Sequence, residues 1–286
     1  MDNKDMGIRP TKSRDSDQTT PDWTPTAAFF GYHPFPPVMN LYANYSGVLN
    51  ALTTHKLCGA TESDFLYLAE IHFGYTPRGP LNFGRGYYLR NGTTAKAPIL
   101  AATGDEFPLP YLAALFNPKT VVMLPPLDME KNPTGKITET MQSTVDKAHG
   151  IAFRFAVEVG EEKVRREEFE WRKMAGKADG GEGDMKGSWY TLLRLAPGCA
   201  VASSSKAPPP RSTDEDCETV AELVFGSNVF TKHIFKLELK GAGLKGELGE
   251  RWALMVVMTS LGLYWLRQYG KTHKATVGAA QKMHSK

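Results

Sequence analysis

The sequence predicts a mainly β protein, a closed antiparallel β-barrel around a C-terminal hydrophobic helix. Residues 252–266 form an uncharged run of fifteen between Arg251 and Arg267. Upstream of this run, several short segments alternate apolar and polar residues, as strands with one buried face do. A barrel accounts for both observations, because its inner face can enclose a helix that is apolar on all sides and its closure removes strand edges.

The length of the apolar run separates two environments for the helix. Fifteen residues span roughly 22 Å at about 1.5 Å per residue, whereas a bilayer core is about 30 Å thick and needs about 20 apolar residues. We therefore expect the helix to be enclosed by protein, with insertion into lipid as the alternative. Inside it, the Thr259 and Ser260 hydroxyls can bond back to helix carbonyls, and Gly262 permits close approach of a strand.

The strands are predicted from two-residue alternation and from turn residues. Residues 87–89 lead into Asn91-Gly92, a dipeptide typical of hairpin turns. Residues 141–149 are predicted to form a short helix. In the second half of the chain, five strands are expected before the apolar helix. The predicted strands lie within residues 65–73, 87–89, 99–102, 121–124, 151–159, 168–172, 188–195, 219–225 and 235–240.

The order of several segments resembles the fungal tubby C-terminal-like (LURP-one-related) proteins. The resemblance rests on Phe169-Glu-Trp171, a Gly-rich gap, Trp189–Leu195, Val220-Ala-Glu-Leu223, a strand ending Leu237-Glu-Leu239, and the run that begins at Glu250. It covers roughly residues 65–270 and is best over 150–270. That superfamily, with the phospholipid scramblases, implies a closed antiparallel barrel threaded by a C-terminal hydrophobic helix.

The resemblance also implies a partner class. Animal tubby proteins bind phosphoinositide head groups through basic residues, but no matching motif allows those positions to be transferred to this chain. The calcium-binding segment expected of scramblases is not evident in the sequence.

Composition divides the chain into three regions. Residues 1–37 are predicted to be a disordered, Pro-containing segment because they are polar and have little to bury. Residues 38–270 are the predicted barrel domain, with a mobile insertion at 203–216 that is rich in Ser, Pro and acidic residues. Residues 271–286 are a basic tail.

The cysteines and the N-terminus predict the compartment. Cys58, Cys199 and Cys217 are widely spaced and predict neither a disulfide framework nor a metal site. Residues 1–22 lack the apolar core of a secretory signal. We therefore expect a reducing compartment and a cytoplasmic location, with peripheral attachment to membranes if lipid is the partner.

Charge is unevenly distributed along the chain. The net charge is +3, yet residues 232–286 hold 10 Lys and Arg against 3 Asp and Glu, and the remainder holds 24 against 28. This asymmetry predicts an anionic partner for the C-terminal part, with a solvated basic face as the alternative. An ammonium group near an anionic leaflet contributes about 1 kcal/mol of attraction. The candidate lipid-binding residues are Lys232, Lys236, Lys240 and Lys245. Lys236 and Lys240 share one strand face, opposite apolar residues 235, 237 and 239.

No motif predicts catalysis, a metal site or a cofactor. The seven histidines lack metal-ligand spacing, and the Gly-rich loop at 176–187 lacks the Gly-Lys-Ser/Thr of a phosphate loop. Trp171 and Trp189 are predicted to be core residues rather than stacking platforms, and no recognised nucleic-acid-binding motif is present.

We therefore predict a non-enzymatic barrel that binds anionic phospholipid head groups, phosphoinositides by the resemblance, or that acts as an adaptor at a membrane surface. The alternatives are a tail-anchored membrane protein that uses the 252–266 helix and a scramblase-like lipid transporter.

Overall fold

A computed structural model of the chain describes residues 31–45, 53–72, 85–106, 116–127, 131, 135–146, 150–160, 163–174, 187–195, 217–227 and 232–284. Within these ranges, twelve strands form a closed barrel in which every neighbouring pair is antiparallel. The strands follow chain order around the barrel, and the last pairs with the first. The predicted closed antiparallel barrel with a C-terminal helix is confirmed.

The elements are as follows. The strands are β1 Val38–Ala43, β2 Thr54–Cys58, β3 Phe65–His72, β4 Gly86–Arg90, β5 Ile99–Gly104, β6 Lys119–Leu124, β7 Ile137–Asp146, β8 Gly150–Val159, β9 Arg165–Lys173, β10 Trp189–Leu195, β11 Glu218–Phe225 and β12 His233–Leu239. The helices are α1 Gly241–Leu244, α2 Glu250–Gln268 and α3 Lys274–His284. We call the barrel end at which α2 begins the entry end, and the end at which it finishes the exit end.

Helix α2 fills the barrel. All residues from Trp252 to Leu266 are buried, and burial of one large apolar side chain contributes about 1.5–3 kcal/mol. Thr259 and Ser260 both donate hydrogen bonds to the Val256 carbonyl, at 3.0 and 2.8 Å. A Cβ atom on Gly262 would lie 3.0 Å from Thr103 Oγ1, so β5 approaches the helix closely at this glycine. The predictions for these three helix residues are confirmed.

Most strand predictions hold, and the exceptions have a physical cause. The five strands expected in the second half of the chain are β8 to β12. The short helix predicted over residues 141–149 is wrong, because β7 runs through most of that segment. Two of the buried positions of β7 carry Glu139 and Ser143 rather than apolar residues. Arg166 pairs with Glu139, and Ser143 Oγ donates to the Pro118 carbonyl, so these polar groups tolerate burial.

The sequence did not predict β1, β2 or α3. The core prediction holds for one of the two tryptophans and not for the other. Trp171 is fully buried and donates from Nε1 to Thr259 Oγ1 at 3.0 Å, as a core residue. Trp189 is only partly buried, so the core prediction is wrong for it. The connection after β4 spans residues 91–98, with Gly92 at φ 142° and the Asn91 N–H bonded to the Pro98 carbonyl. It is therefore longer than a two-residue hairpin turn.

The structure can also be compared with the predicted regions of the chain and with the predicted state of the cysteines. Phe35 is 7% exposed, and its ring centroid lies 5.1 Å from that of Tyr67 in a tilted arrangement, so the last residues of the 1–37 segment pack on the barrel. The predicted insertion at 203–216 lies outside the described residues. Cys217 forms a disulfide bond, which the spacing did not predict, whereas Cys58 is a buried free thiol. The cysteine pattern thus gives no support for a reducing compartment.

Candidate functional site

The four predicted lysines lie along β12 and its flanks, not in one cluster. Lys236 and Lys240 share the face opposite the buried residues of β12, as the alternation predicts. Lys232 immediately precedes β12. Lys245 follows α1 and therefore lies beyond the C-terminal end of β12. A seven-residue strand is about 23 Å long at about 3.3 Å per residue. One head group therefore cannot reach both Lys232 and Lys245.

Every one of these ammonium groups has a carboxylate within 4 Å. Lys240 lowers the pKa of Glu238, with a further contribution from Lys236, and Glu238 in turn raises the pKa of Lys240. The outer face of β12 is therefore a balanced ion-pair network rather than a patch of uncompensated positive charge. The pairs are Lys232 with Glu62 at 2.6 Å, Lys236 with Glu238 at 3.2 Å, Lys240 with Glu238 at 2.6 Å and with Glu222 at 3.6 Å, and Lys245 with Glu247 at 3.7 Å.

A second group of basic residues lies in the C-terminal segment, which we define as residues 268–286. It contains four lysines and no Asp or Glu. In α3, Val277 and Ala280 are buried and the helix packs on β7 and β8, whereas Lys274 and Lys282 are exposed. The two lysines are eight positions apart, which is about 12 Å along a helix. The two exposed lysines of α3 therefore lie in a segment that has no Asp or Glu.

A buried ion group fixes the chain just before α3. Lys271 Nζ lies 3.2 Å from Asp105 Oδ1, and Arg85 lies 3.2 Å from the other oxygen of the same carboxylate. The Arg85 guanidinium also covers the Tyr269 ring at 5.3 Å. Burial lowers the pKa of Lys271, and Asp105 opposes that shift. Together with the hydrogen bond from the Val145 N–H to Gln281 Oε1, these contacts hold α3 at the exit end.

The entry end carries a charged network that sequence reasoning missed. Arg251, at the start of α2, donates to Glu158 Oε2 at 3.0 Å and to the Pro125 carbonyl at 2.7 Å. Arg166 bridges Glu158 to Glu139 at 2.6 and 2.5 Å. The four groups come from β7, β8, β9 and α2, so no local sequence pattern predicts their meeting. The network joins the start of α2 to three strands and so helps to fix the helix in the barrel.

Two further properties of the described residues concern metal ligands and membrane-spanning helices. Among them, no three His, Cys, Asp or Glu side chains are grouped so as to hold a metal ion. No helix in the described ranges combines the length and apolar character needed to cross a bilayer. The tail-anchor alternative would place α2 in lipid, whereas its apolar run is enclosed by the barrel strands.

Comparison of the chain with protein-family models, curated proteins and solved structures finds no match in any of the three. The resemblance to tubby-like proteins therefore stays a prediction from the residue pattern.

Proposed function

We propose that the protein binds anionic phospholipid head groups at a membrane surface, and that the C-terminal segment makes the contact. The observation that carries this proposal is that residues 268–286 contain no Asp or Glu, while Lys274 and Lys282 are exposed on α3, a helix that packs on the barrel. Two or three such lysines contribute on the order of 3 kcal/mol near an anionic leaflet. Binding is therefore weak, reversible and sensitive to salt.

The lysines of β12 have a minor part in this proposal. A head group that approached Lys236 or Lys240 would have to compete with Glu238 and Glu222 for the same ammonium groups. Each displaced carboxylate would then stand beside an incoming phosphate of like charge. Phosphoinositides are the specific ligand class within this proposal, on the strength of the tubby-like residue pattern alone.

A matched pair of double variants tests the location of the site. Lys274→Gln/Lys282→Gln and Lys236→Gln/Lys240→Gln each remove two positive charges. We expect flotation with phosphatidylserine vesicles at low salt to fall several-fold for the first variant and to change little for the second. Vesicles of neutral phosphatidylcholine are the lipid control, and melting temperatures check that each variant folds.

The same assay contains the results that would contradict the proposal. If the wild-type protein ignores anionic vesicles at low salt, the lipid proposal is wrong and a protein-adaptor role is preferred. If the β12 variant alone loses binding, the site lies on β12. Vesicles with phosphoinositide at the same total charge as the phosphatidylserine vesicles test the specific ligand. Equal binding to both would restrict the function to general anionic attraction.

A further inference from the structure

The exit half of the barrel interior contains a cluster of polar side chains around Tyr87. Its ring centroid lies 5.5 Å from that of His55, 6.0 Å from that of Tyr264 and 6.0 Å from that of Trp265. Thr103 is the cross-strand partner of Tyr87. We call these five residues the inner polar site. They come from β2, β4, β5 and α2 and meet inside the barrel.

Four polar atoms of the inner polar site are buried and unpartnered. His55, Tyr87, Thr103 and Trp265 are 4%, 0%, 0% and 1% exposed. Among the described residues, no group forms a hydrogen bond with His55 Nδ1, Tyr87 Oη, Thr103 Oγ1 or Trp265 Nε1. An unpaired buried polar group costs about 1–3 kcal/mol, so four adjacent ones would be a large penalty. Native interiors commonly satisfy such groups with a bound molecule, water above all.

The barrel does pair its interior polar groups elsewhere along the same helix. Trp171 Nε1 donates to Thr259 Oγ1, and Ser260 Oγ donates to the Val256 carbonyl. These residues lie one to two turns before Tyr264. Unpartnered buried atoms also occur elsewhere in the described part of the chain, for example Trp252 Nε1 at the entry end. What distinguishes the inner polar site is that four of them belong to Tyr87 and its immediate neighbours.

The inner polar site lies close to the surface at the exit end. Gln268 is exposed, and its side chain opposes the rise in pKa that burial causes at Tyr87 and Tyr264. Gln268 is thus beside both hydroxyls, although it does not reach Tyr87 Oη with hydrogen-bonding geometry.

The donors and acceptors define the chemistry of the ligand. Trp265 Nε1 can only donate, whereas the Tyr87 and Thr103 hydroxyls donate or accept. Burial lowers the pKa of His55 to about 4, so the imidazole is neutral at pH 7. None of the five side chains is charged at that pH, and an ion without a partner would be costly to bury. The arrangement suits a neutral molecule whose oxygen both accepts and donates.

We propose that the inner polar site binds a small neutral hydroxyl-bearing ligand, either water or an organic alcohol, against the second half of α2. The sign of a stability change tests the proposal. Thr103→Val and Tyr87→Phe remove one hydroxyl each with little change in shape. If a ligand pairs with these hydroxyls, both variants lose stability, and the melting temperature falls by at least about 2 °C.

The opposite sign overturns the proposal. If the hydroxyls are truly unpaired, their removal relieves a penalty, and both variants melt at or above the wild-type temperature. Thr259→Val serves as the calibration, because its hydroxyl has protein partners and its loss should lower the melting temperature in either case.

A second measurement identifies the ligand. Oxygen-17 magnetic relaxation dispersion detects long-lived internal water, and native mass spectrometry of the purified protein detects a bound organic alcohol. We expect one of the two signals in the wild-type protein, and we expect it to decrease in Thr103→Val. If neither signal is present in the wild type, or if Thr103→Val leaves the signal unchanged, the proposal is wrong.

Discussion

The hydrogen bond between Trp171 and Thr259 offers a direct test of how α2 is held in the barrel. Nε1 and Oγ1 are 3.0 Å apart, both residues are 0% exposed, and they are 88 positions apart in the chain. Thr259→Val keeps the shape of the side chain but leaves the indole N–H without an acceptor. Because an unsatisfied buried donor costs about 1–3 kcal/mol, we expect the free energy of unfolding to fall by about 2 kcal/mol.

The assay is equilibrium unfolding in urea, supported by thermal melting. A loss of about 2 kcal/mol lowers the melting temperature of a chain of this size by about 4–8 °C. Trp171→Phe and the double variant complete a double-mutant cycle, whose coupling energy isolates the contact. Ser260→Ala is the matched control, because it removes only a bond within the helix. If Thr259→Val unfolds with wild-type free energy, or if the coupling is zero, the bond does not hold the helix.

Three further changes have defined outcomes. Val257→Asp places an unpaired charge at a residue 0% exposed, so we expect no cooperative unfolding transition by circular dichroism, and a retained transition would show that α2 is not the core. Burial lowers the pKa of His55 to about 4, so the unfolded chain binds the proton first and stability decreases as pH falls from about 6.5 towards 4. Wild type should lose about 3 kcal/mol across that window relative to His55→Gln, and parallel pH profiles in urea unfolding would contradict this. Lys271→Ala breaks the buried pair with Asp105 and should cost about 2 kcal/mol or more, whereas exposed Lys274→Ala should change the unfolding free energy by less than about 0.5 kcal/mol. Similar losses for both lysines would refute the anchoring role.

The sequence alone determined the central helix and the strands with apolar inner faces. A run of fifteen uncharged residues bounded by arginines is too short to span a bilayer with ease and too apolar for a water-facing surface, so enclosure by protein follows. Strands such as β8 and β12 were predictable because apolar residues occupy their buried positions. β7 was not, because its buried Glu139 depends on Arg166 from another strand.

Only the tertiary structure decided where positive charge is compensated. The count of 10 basic against 3 acidic residues over 232–286 includes only carboxylates that are near in sequence. Folding brings Glu62 to Lys232, Glu222 to Lys240 and Asp105 to Lys271. The pairing of Glu238 with Lys236 and Lys240 was predictable from the alternation, since residues two apart on a strand share a face.

The inner polar site was likewise not predictable from the sequence. Tyr87 and Thr103 lie on the consecutive strands β4 and β5, but His55 comes from β2, and enclosure of α2 by the barrel is what brings Tyr87 beside Trp265. Local periodicity fixes which face a side chain takes, because that depends on two-residue and 3.6-residue repeats. Which polar groups meet on that face depends on strand order and on the position of the helix, and these are properties of the closed barrel.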